Sequence, residues 1–378
     1  MNTKVKLLFC LLALLFATGA IGHVAAEGVS GCDPAYVTQD GDVMIVRPTG
    51  VDDTVNIQCA FDTAVSANLD VHFTSGTFHT AQIVVENFMG AFTGNGKYAT
   101  RIENLPNLYV TPEDVIFEAP SAENPWPTLF AFIDGDFQIA DLGVSIVGDE
   151  PTAGWTIFGI DPPLKEMAGG IYVLGTEAHV LVERVRITGE ANPDAGFLYG
   201  YNLINATYFE GVIGAVPPPI SGSFAVYDSV FRAVAAGTAL DNLSGAEVIA
   251  SRNKYFDSYY GAGGGGYVDS SITFSDNYVD AKFGVEFYDL YVEEFANTTL
   301  VIANNKFHGS DTAVGLYATF GDNMHCLLLD NKFQSEDGLD IFLGAATSNC
   351  FVVGDRLDVI DLGTNNVIIG RGNTISYE

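Results

Sequence analysis

The sequence predicts an all-β solenoid, a stack of short parallel coils closed at its first coil by an α-helix. One observation is a phrase that returns every 24 to 28 residues: Asn253-Lys254-Tyr255, Asn277-Tyr278-Val279, Asn305-Lys306-Phe307, Asn331-Lys332-Phe333 and a degenerate Asp355-Arg356-Leu357. A fixed period of this length marks one supersecondary unit stacked on the next. A second is the short apolar run before the copies, such as Leu300-Val301-Ile302 and Leu327-Leu328-Leu329, which reads as a buried strand. The third lies far upstream, where Ile57, Ala60, Phe61, Ala64 and Val65 fall on one helical face behind Asp52-Asp53-Thr54. An exposed first coil needs a lid, and an amphipathic helix over 53–67 supplies one.

Residues 1–26 read as a secretory leader: Lys4 and Lys6 carry charge, Leu7 to Ala20 is apolar, and Val24-Ala25-Ala26 is a small-residue cleavage site. Val29-Ser30-Gly31-Cys32 resembles a lipobox, but His23 and Glu27 separate it from the apolar core. The mature chain, 27–378, is expected to be one exported domain without a transmembrane span. Strand-like runs follow the helix at Asp70–Phe73 and Ile83–Val85, punctuated by Ser75-Gly76-Thr77. Pro217-Pro218-Pro219 marks an irregular insertion over roughly 200–222.

Asp53-Thr54-Val55-Asn56-Ile57-Gln58, Ser75-Gly76-Thr77-Phe78 and Gly94-Asn95-Gly96-Lys97 with Thr100-Arg101-Ile102 resemble the opening of pectate-lyase-like proteins. With the C-terminal repeats, the resemblance covers most of the mature chain. It implies a right-handed single-stranded parallel β-helix and no single activity. Lyases of that superfamily use an Arg or Lys base with calcium, and no Arg or Lys falls on the exposed strand described next. Its galacturonan hydrolases carry Asn-Thr-Asp, Asp-Asp and Arg-Ile-Lys signatures. The one Asp-Asp here, Asp52-Asp53, lies at the helix.

Each coil divides into three strands, with Asn at a tight turn where its amide can bond the next coil. Asn277, Asn305 and Asn331 are therefore expected to form a structural ladder, with Lys306, Lys332 and Arg356 as a basic stripe outside it. The strand after the next turn recurs with Gly near its start: Gly237 to Asp241, Gly284 to Tyr288, Gly315 to Thr319 and Gly338 to Phe342. Alternation puts Thr238, Val285, Leu316 and Leu339 inward, and Ala239, Glu286, Tyr317 and Asp340 outward, followed outward by Asp241, Tyr288, Thr319 and Phe342. Acids and rings on one exposed sheet suit a sugar, whose hydroxyls bond carboxylates and whose faces stack on aromatics. Gly261 to Gly266 falls on the same strand by spacing, so Gly263 and Gly265 would bare the backbone to a ligand.

The candidate substrate-binding residues are thus Tyr288, Tyr317, Phe342, Gly263 and Gly265. The candidate catalytic carboxylates are Asp241, Glu286 and Asp340. Successive members lie two coils apart, ~9.6 Å between backbones, within side-chain reach of the ~6.5–9.5 Å of an inverting glycosidase. If the protein is an enzyme, a polysaccharide hydrolase is favoured over a lyase. The other reading is a non-catalytic surface β-helix acting as an interaction platform.

Charge narrows the partners. The formal net charge is −31, and −33 once Lys4 and Lys6 leave with the leader. This excludes nucleic acid, whose binding needs basic contacts to phosphate. A polysaccharide or cell-surface glycan fits, and the molecule is expected to be a monomer. No resident metal or cofactor is expected, with calcium as an option at the turn acids Asp280, Asp311 and Asp337. Cys32, Cys59, Cys326 and Cys350 remain after cleavage. Cys326 and Cys350 should stack in neighbouring coils, either as a disulfide or as buried thiols.

Overall fold

The computed structural model describes residues 27–28, 31–105, 128–146, 169–189, 205–210, 219–234, 236–288, 297–318, 324–334 and 338–377. The leader at 1–26, Thr319 and Asp337 lie outside them. Among the described residues no helix is long and apolar enough to cross a membrane.

The chain winds as a parallel β-helix with three sheets running along its axis. In a representative coil, Phe283–Tyr288 lies in the first sheet, Thr299–Ala303 in the second and Lys306–His308 in the short third, before Thr312–Tyr317 returns to the first. Each segment pairs in parallel with its counterparts in neighbouring coils, for example Leu300 with Ile272 and Cys326. Within 200–222, which the sequence reads as an irregular insertion, the described residues 205–210 and 220–222 are in strands. Asn205–Glu210 pairs with Ile171–Val173 and Ala236–Asp241 in the first sheet, and Ile220–Tyr227 is a strand of the second. Pro219 directly precedes that strand, and Pro217 and Pro218 lie outside the described residues.

One continuous apolar core fills the lumen from Val37 to Val359. Inside the third sheet, side chains at equivalent positions stack: Phe231 on Tyr255 at 5.0 Å and Phe307 on Phe333 at 5.4 Å. The glycines that open the first-sheet strands make room for these rings. A Cβ on Gly237 would sit 2.2 Å from Tyr255, and one on Gly284 would sit 2.5 Å from Phe307.

The capping helix spans Thr54–Ala67. Ile57, Ala60, Phe61 and Ala64 are buried as the periodicity predicts, but Val65 stays 37% exposed because the fifth position turns past the coil beneath. Asp53 sits at the N-cap without capping the helix. Its carboxylate instead accepts from the Thr49 N–H at 2.6 Å and the His79 N–H at 2.9 Å, tying the lid to the first coil. A disulfide joins Cys59 on the helix to Cys32, with Cα atoms 5.7 Å apart. A second joins Cys326 to Cys350 between adjacent coils, Cα atoms 4.3 Å apart.

The asparagine ladder is present and starts one residue type earlier than the repeat does. Ser229 N–H donates to Asn253 Oδ1, Asn253 N–H to Asn277 Oδ1, Asn277 N–H to Asn305 Oδ1 and Asn305 N–H to Asn331 Oδ1, at 2.8–3.0 Å. The left-handed residue of each turn is the one before the asparagine, as at Arg252, Asp276, Asn304 and Asp330. The ladder residues therefore earn their place by bonding between coils rather than by backbone conformation. Lys306 and Lys332 are in register on the next strand, but Arg356 occupies a left-handed turn, so the basic stripe ends at two. Asn305→Ala removes the acceptor of the Asn277 N–H and the donor to Phe274 O, bonded at 2.8 Å. Leaving buried groups unpaired costs about 1–3 kcal/mol each, so for these two a loss of roughly 2–6 kcal/mol is expected in chemical denaturation. An unchanged midpoint would show that the ladder is dispensable.

Candidate functional site

The first sheet's outer face carries two columns of side chains. One runs Ala239, Gly263, Glu286, Gly315, Phe342; the other runs Asp241, Gly265, Tyr288, Tyr317. Gly263 and Gly265 lie in a strand paired on both sides, which places the glycine run within the sheet. That run also needs glycine for packing: at Gly264, φ is +144° and a Cβ would fall 1.5 Å from Leu240 O.

This register corrects the alignment drawn from the glycines. Gly315 pairs with Glu286 and not with Gly284, so the later coils shift by two residues. The shift preserves which side chains face outward but moves each to a new column. Leu316 joins Phe287, Tyr317 joins Tyr288, and Phe342 joins Gly315 beside Glu286. Asp340 falls level with Ala313, outside both columns, and its carboxylate accepts from the Asp358 N–H at 2.9 Å. Burial raises its pKa, and that backbone bond opposes the shift. The error arose because Gly284 and Gly315 do different jobs: one clears space for a core ring, the other for an outer one.

That outer ring is Tyr317. It folds back over Gly315 so closely that a Cβ there would lie 2.4 Å from its edge. Its ring stacks on Phe342 at 4.7 Å, and its hydroxyl is hydrogen-bonded to both Glu286 and Thr312. Glu286 is only 5% exposed. Burial lifts its carboxyl to about pKa 7 against the opposing Tyr317 bond, and burial with the neighbouring carboxylate pushes Tyr317 up to about 12. The arrangement therefore holds a carboxyl that is about half protonated at neutrality, between two strands with no side chain at its level.

Asp241 is 8% exposed and accepts from the Gly265 N–H at 3.1 Å. It lies two coils from Glu286 and one outward position along. Tyr288 closes its strand in register with Gly265 and Tyr317, and its side chain lies outside the described residues.

Three aromatic residues went unnoticed in the sequence. Tyr259, Tyr260 and Phe283 cluster outside the lumen with Ala236 and Ala239, their rings 4.8–5.6 Å apart. Lys282 lies over them, its Nζ 5.6 Å from the Tyr259 ring. A cation therefore borders this face, although none lies on the exposed strand segments themselves. The signal was available, since Tyr259-Tyr260 directly precede the glycine run and Lys282-Phe283 directly precede Gly284. Among the described residues no three His, Cys, Asp or Glu side chains converge on a metal position. Asp280 instead lies 3.6 Å from His308, and Asp311 is exposed.

No protein-family model matches the chain, and no curated protein sequence matches it. Solved structures do resemble it. The Agl-KA catalytic domain is 12% identical over 93% of this chain and 70% of that one, with a TM-score of 0.48. The Streptococcus pneumoniae surface protein and adhesin PfbA is 11% identical over 87% of this chain and 94% of that one, TM-score 0.47. The A-module of the Azotobacter vinelandii mannuronan C-5 epimerase AlgE4 is 14% identical over 94% and 96%, TM-score 0.42. This chain is a right-handed single-stranded parallel β-helix.

Proposed function

We propose that the protein is exported and binds a neutral polysaccharide along the Ala239–Phe342 strip, with Glu286 as the hydrogen-bonding and proton-donating carboxyl. The observation that carries this reading is the Glu286 site itself. A buried carboxyl, raised to about pKa 7, is flanked by Gly263 and Gly315 and bonded to a tyrosine that stacks on Phe342. Bare backbone lets a flat sugar ring approach, the aromatic pair offers a stacking surface, and the protonated acid can donate to a glycosidic or hydroxyl oxygen. A neutral chain is favoured over a polyuronate because the protein carries 47 acids against 16 Lys and Arg. The two disulfides support an oxidising, extracytoplasmic compartment.

Hydrolysis would require a second carboxylate to activate water, and Asp241 suits that role better than Asp340, because it lies in the strip two coils from Glu286 whereas Asp340 falls outside both columns. Screening the purified protein on a glycan array, with reducing-end release measured on every hit, tests the reading. Release of reducing ends that Glu286→Gln abolishes would establish a hydrolase. Binding that Tyr317→Ala abolishes, without bond cleavage, would establish a binding module. A blank array would remove polysaccharide from the account.

A further inference from the structure

The outer face of the third sheet carries a column of side chains that the strand register follows along most of the solenoid. Arg101 pairs with Gly143 and Gly143 with Arg186, and the series continues through Val230, Lys254, Tyr278 and Lys306 to Lys332. Lys306 and Lys332 are thus the last members of a longer column. Five of its eight positions are Lys or Arg and none is Asp or Glu, in a chain whose acids outnumber Lys and Arg by 47 to 16. Like charges stacked on neighbouring strands repel, so folding alone gives no reason to collect them. Carboxylates do not neutralise them. Arg101 is bonded to Glu103 on its own strand, but among the described residues Arg186, Lys254, Lys306 and Lys332 make no ion pair. Nearby acids are held by other cations: Asp141 by Arg184, Asp228 by Arg252 and Asp257 by Arg232, each at 2.8 Å. Asp276 and Asp330 lie exposed in the turns ahead of Tyr278 and Lys332 and pair with no member of the column. Aromatic rings accompany the cations. Arg186 lies 5.7 Å over the Tyr98 ring and Lys306 lies 5.4 Å over the Tyr278 ring, with Phe256 5.5 Å from Tyr278. Tyr98 is 70% exposed.

We infer that this column is a second binding track, on a different sheet from the Glu286 strip, and that it takes an acidic polysaccharide with an anionic group on every second sugar. Sign, spacing and rings select that ligand. From Arg101 to Lys306 the cations stand on alternate coils, ~9.6 Å apart. An extended chain of pyranoses advances about as far with every two sugars, so one anion can meet each cation in turn. Phosphates on one strand of a nucleic acid duplex follow at ~3.4 Å, and most would find no partner here. The tyrosine faces beside Arg186 and Lys306 give the intervening sugars a stacking surface. The net charge of −31 does not forbid the contact. At physiological salt the Debye length is ~8 Å, so an anion lying on the column responds mainly to the cations beneath it.

Isothermal titration calorimetry of the purified protein with hyaluronan oligosaccharides, whose carboxylate recurs on every second sugar, tests this. Binding is expected at about 50 mM NaCl and should be at least ~10-fold weaker at about 500 mM. The same oligosaccharides with their carboxylates reduced to alcohols should not bind. Lys254→Glu and Lys306→Glu should each weaken binding at least ~10-fold with an unchanged circular dichroism spectrum, and Lys306→Arg should preserve it. Thr299→Glu adds an acid to the exposed face of the second sheet. It should leave the affinity within about 2-fold, which separates the column from an effect of net charge. Absence of binding at low salt would overturn the inference, as would binding that survives carboxylate reduction or both charge reversals. Tighter binding of oligothymidylate than of hyaluronan would overturn it too, since spacing would then select nothing.

Discussion

Glu286→Gln is expected to make the protein more stable above neutral pH and to flatten the pH dependence of its stability. In the folded chain burial raises the Glu286 carboxyl to about 7, against an ordinary 4.5. As pH rises through the unfolded value, the unfolded chain gives up its proton while the folded chain keeps it. Stability from this group is therefore fully present below the unfolded value and falls until the folded value is passed. The shift corresponds to a loss on the order of 3 kcal/mol. Glutamine has no proton to lose, so the variant avoids this loss. In urea denaturation the two proteins should lie within about 1 kcal/mol at about pH 4.5 and separate by about 2–3 kcal/mol at about pH 8.5, the variant above. A difference that stays constant across that range would mean that Glu286 titrates as it does in the unfolded chain.

Phe61→Ala is expected to cost about 3–5 kcal/mol, because it empties the joint between the lid and the first coils. The ring meets Phe88, Phe92, Phe130 and Phe132 edge-on, with centroids 5.1–6.3 Å apart. Phe61 has no accessible surface, whereas Val65 on the same helix is 37% exposed. Val65→Ala should accordingly change stability by no more than about 0.5 kcal/mol. Equal effects of the two substitutions would show that the helix is not docked through Phe61. The disulfide to Cys32 keeps the helix tethered in either variant, so the measurement reads packing and not detachment.

The repeating asparagines made the architecture legible because a ladder bond constrains one residue in each coil to one type at one place. The lid was legible for a similar reason, since a helix that covers a coil must be apolar at helical spacing. Register in the first sheet was less legible. Glycine entered that strand for two unrelated reasons, room for Phe307 at Gly284 and room for Tyr317 at Gly315, and sequence alone does not distinguish them. The site suffered in proportion: Glu286, Tyr317 and Phe342 were each singled out, but their contacts depend on the two-residue shift that separates Asp340 from them. The unnoticed cluster of Tyr259, Tyr260 and Phe283 has no repeat behind it, and residues outside a period announce themselves only through their neighbours in space.

The site rests on a buried carboxyl beside Tyr317 that gives up its proton only as pH passes about 7. Carbon-13 NMR titration of glutamate carboxyls, with Glu286 assigned by its disappearance in Glu286→Gln, measures this directly. The geometry predicts a midpoint near 7, falling toward the ordinary carboxylate range when Gly315→Ala displaces the Tyr317 ring and opens the site to water. A Glu286 midpoint near 4.5 in the wild-type protein would contradict the account, because the carboxyl would then be an exposed, ionised surface group with no proton to offer a bound sugar.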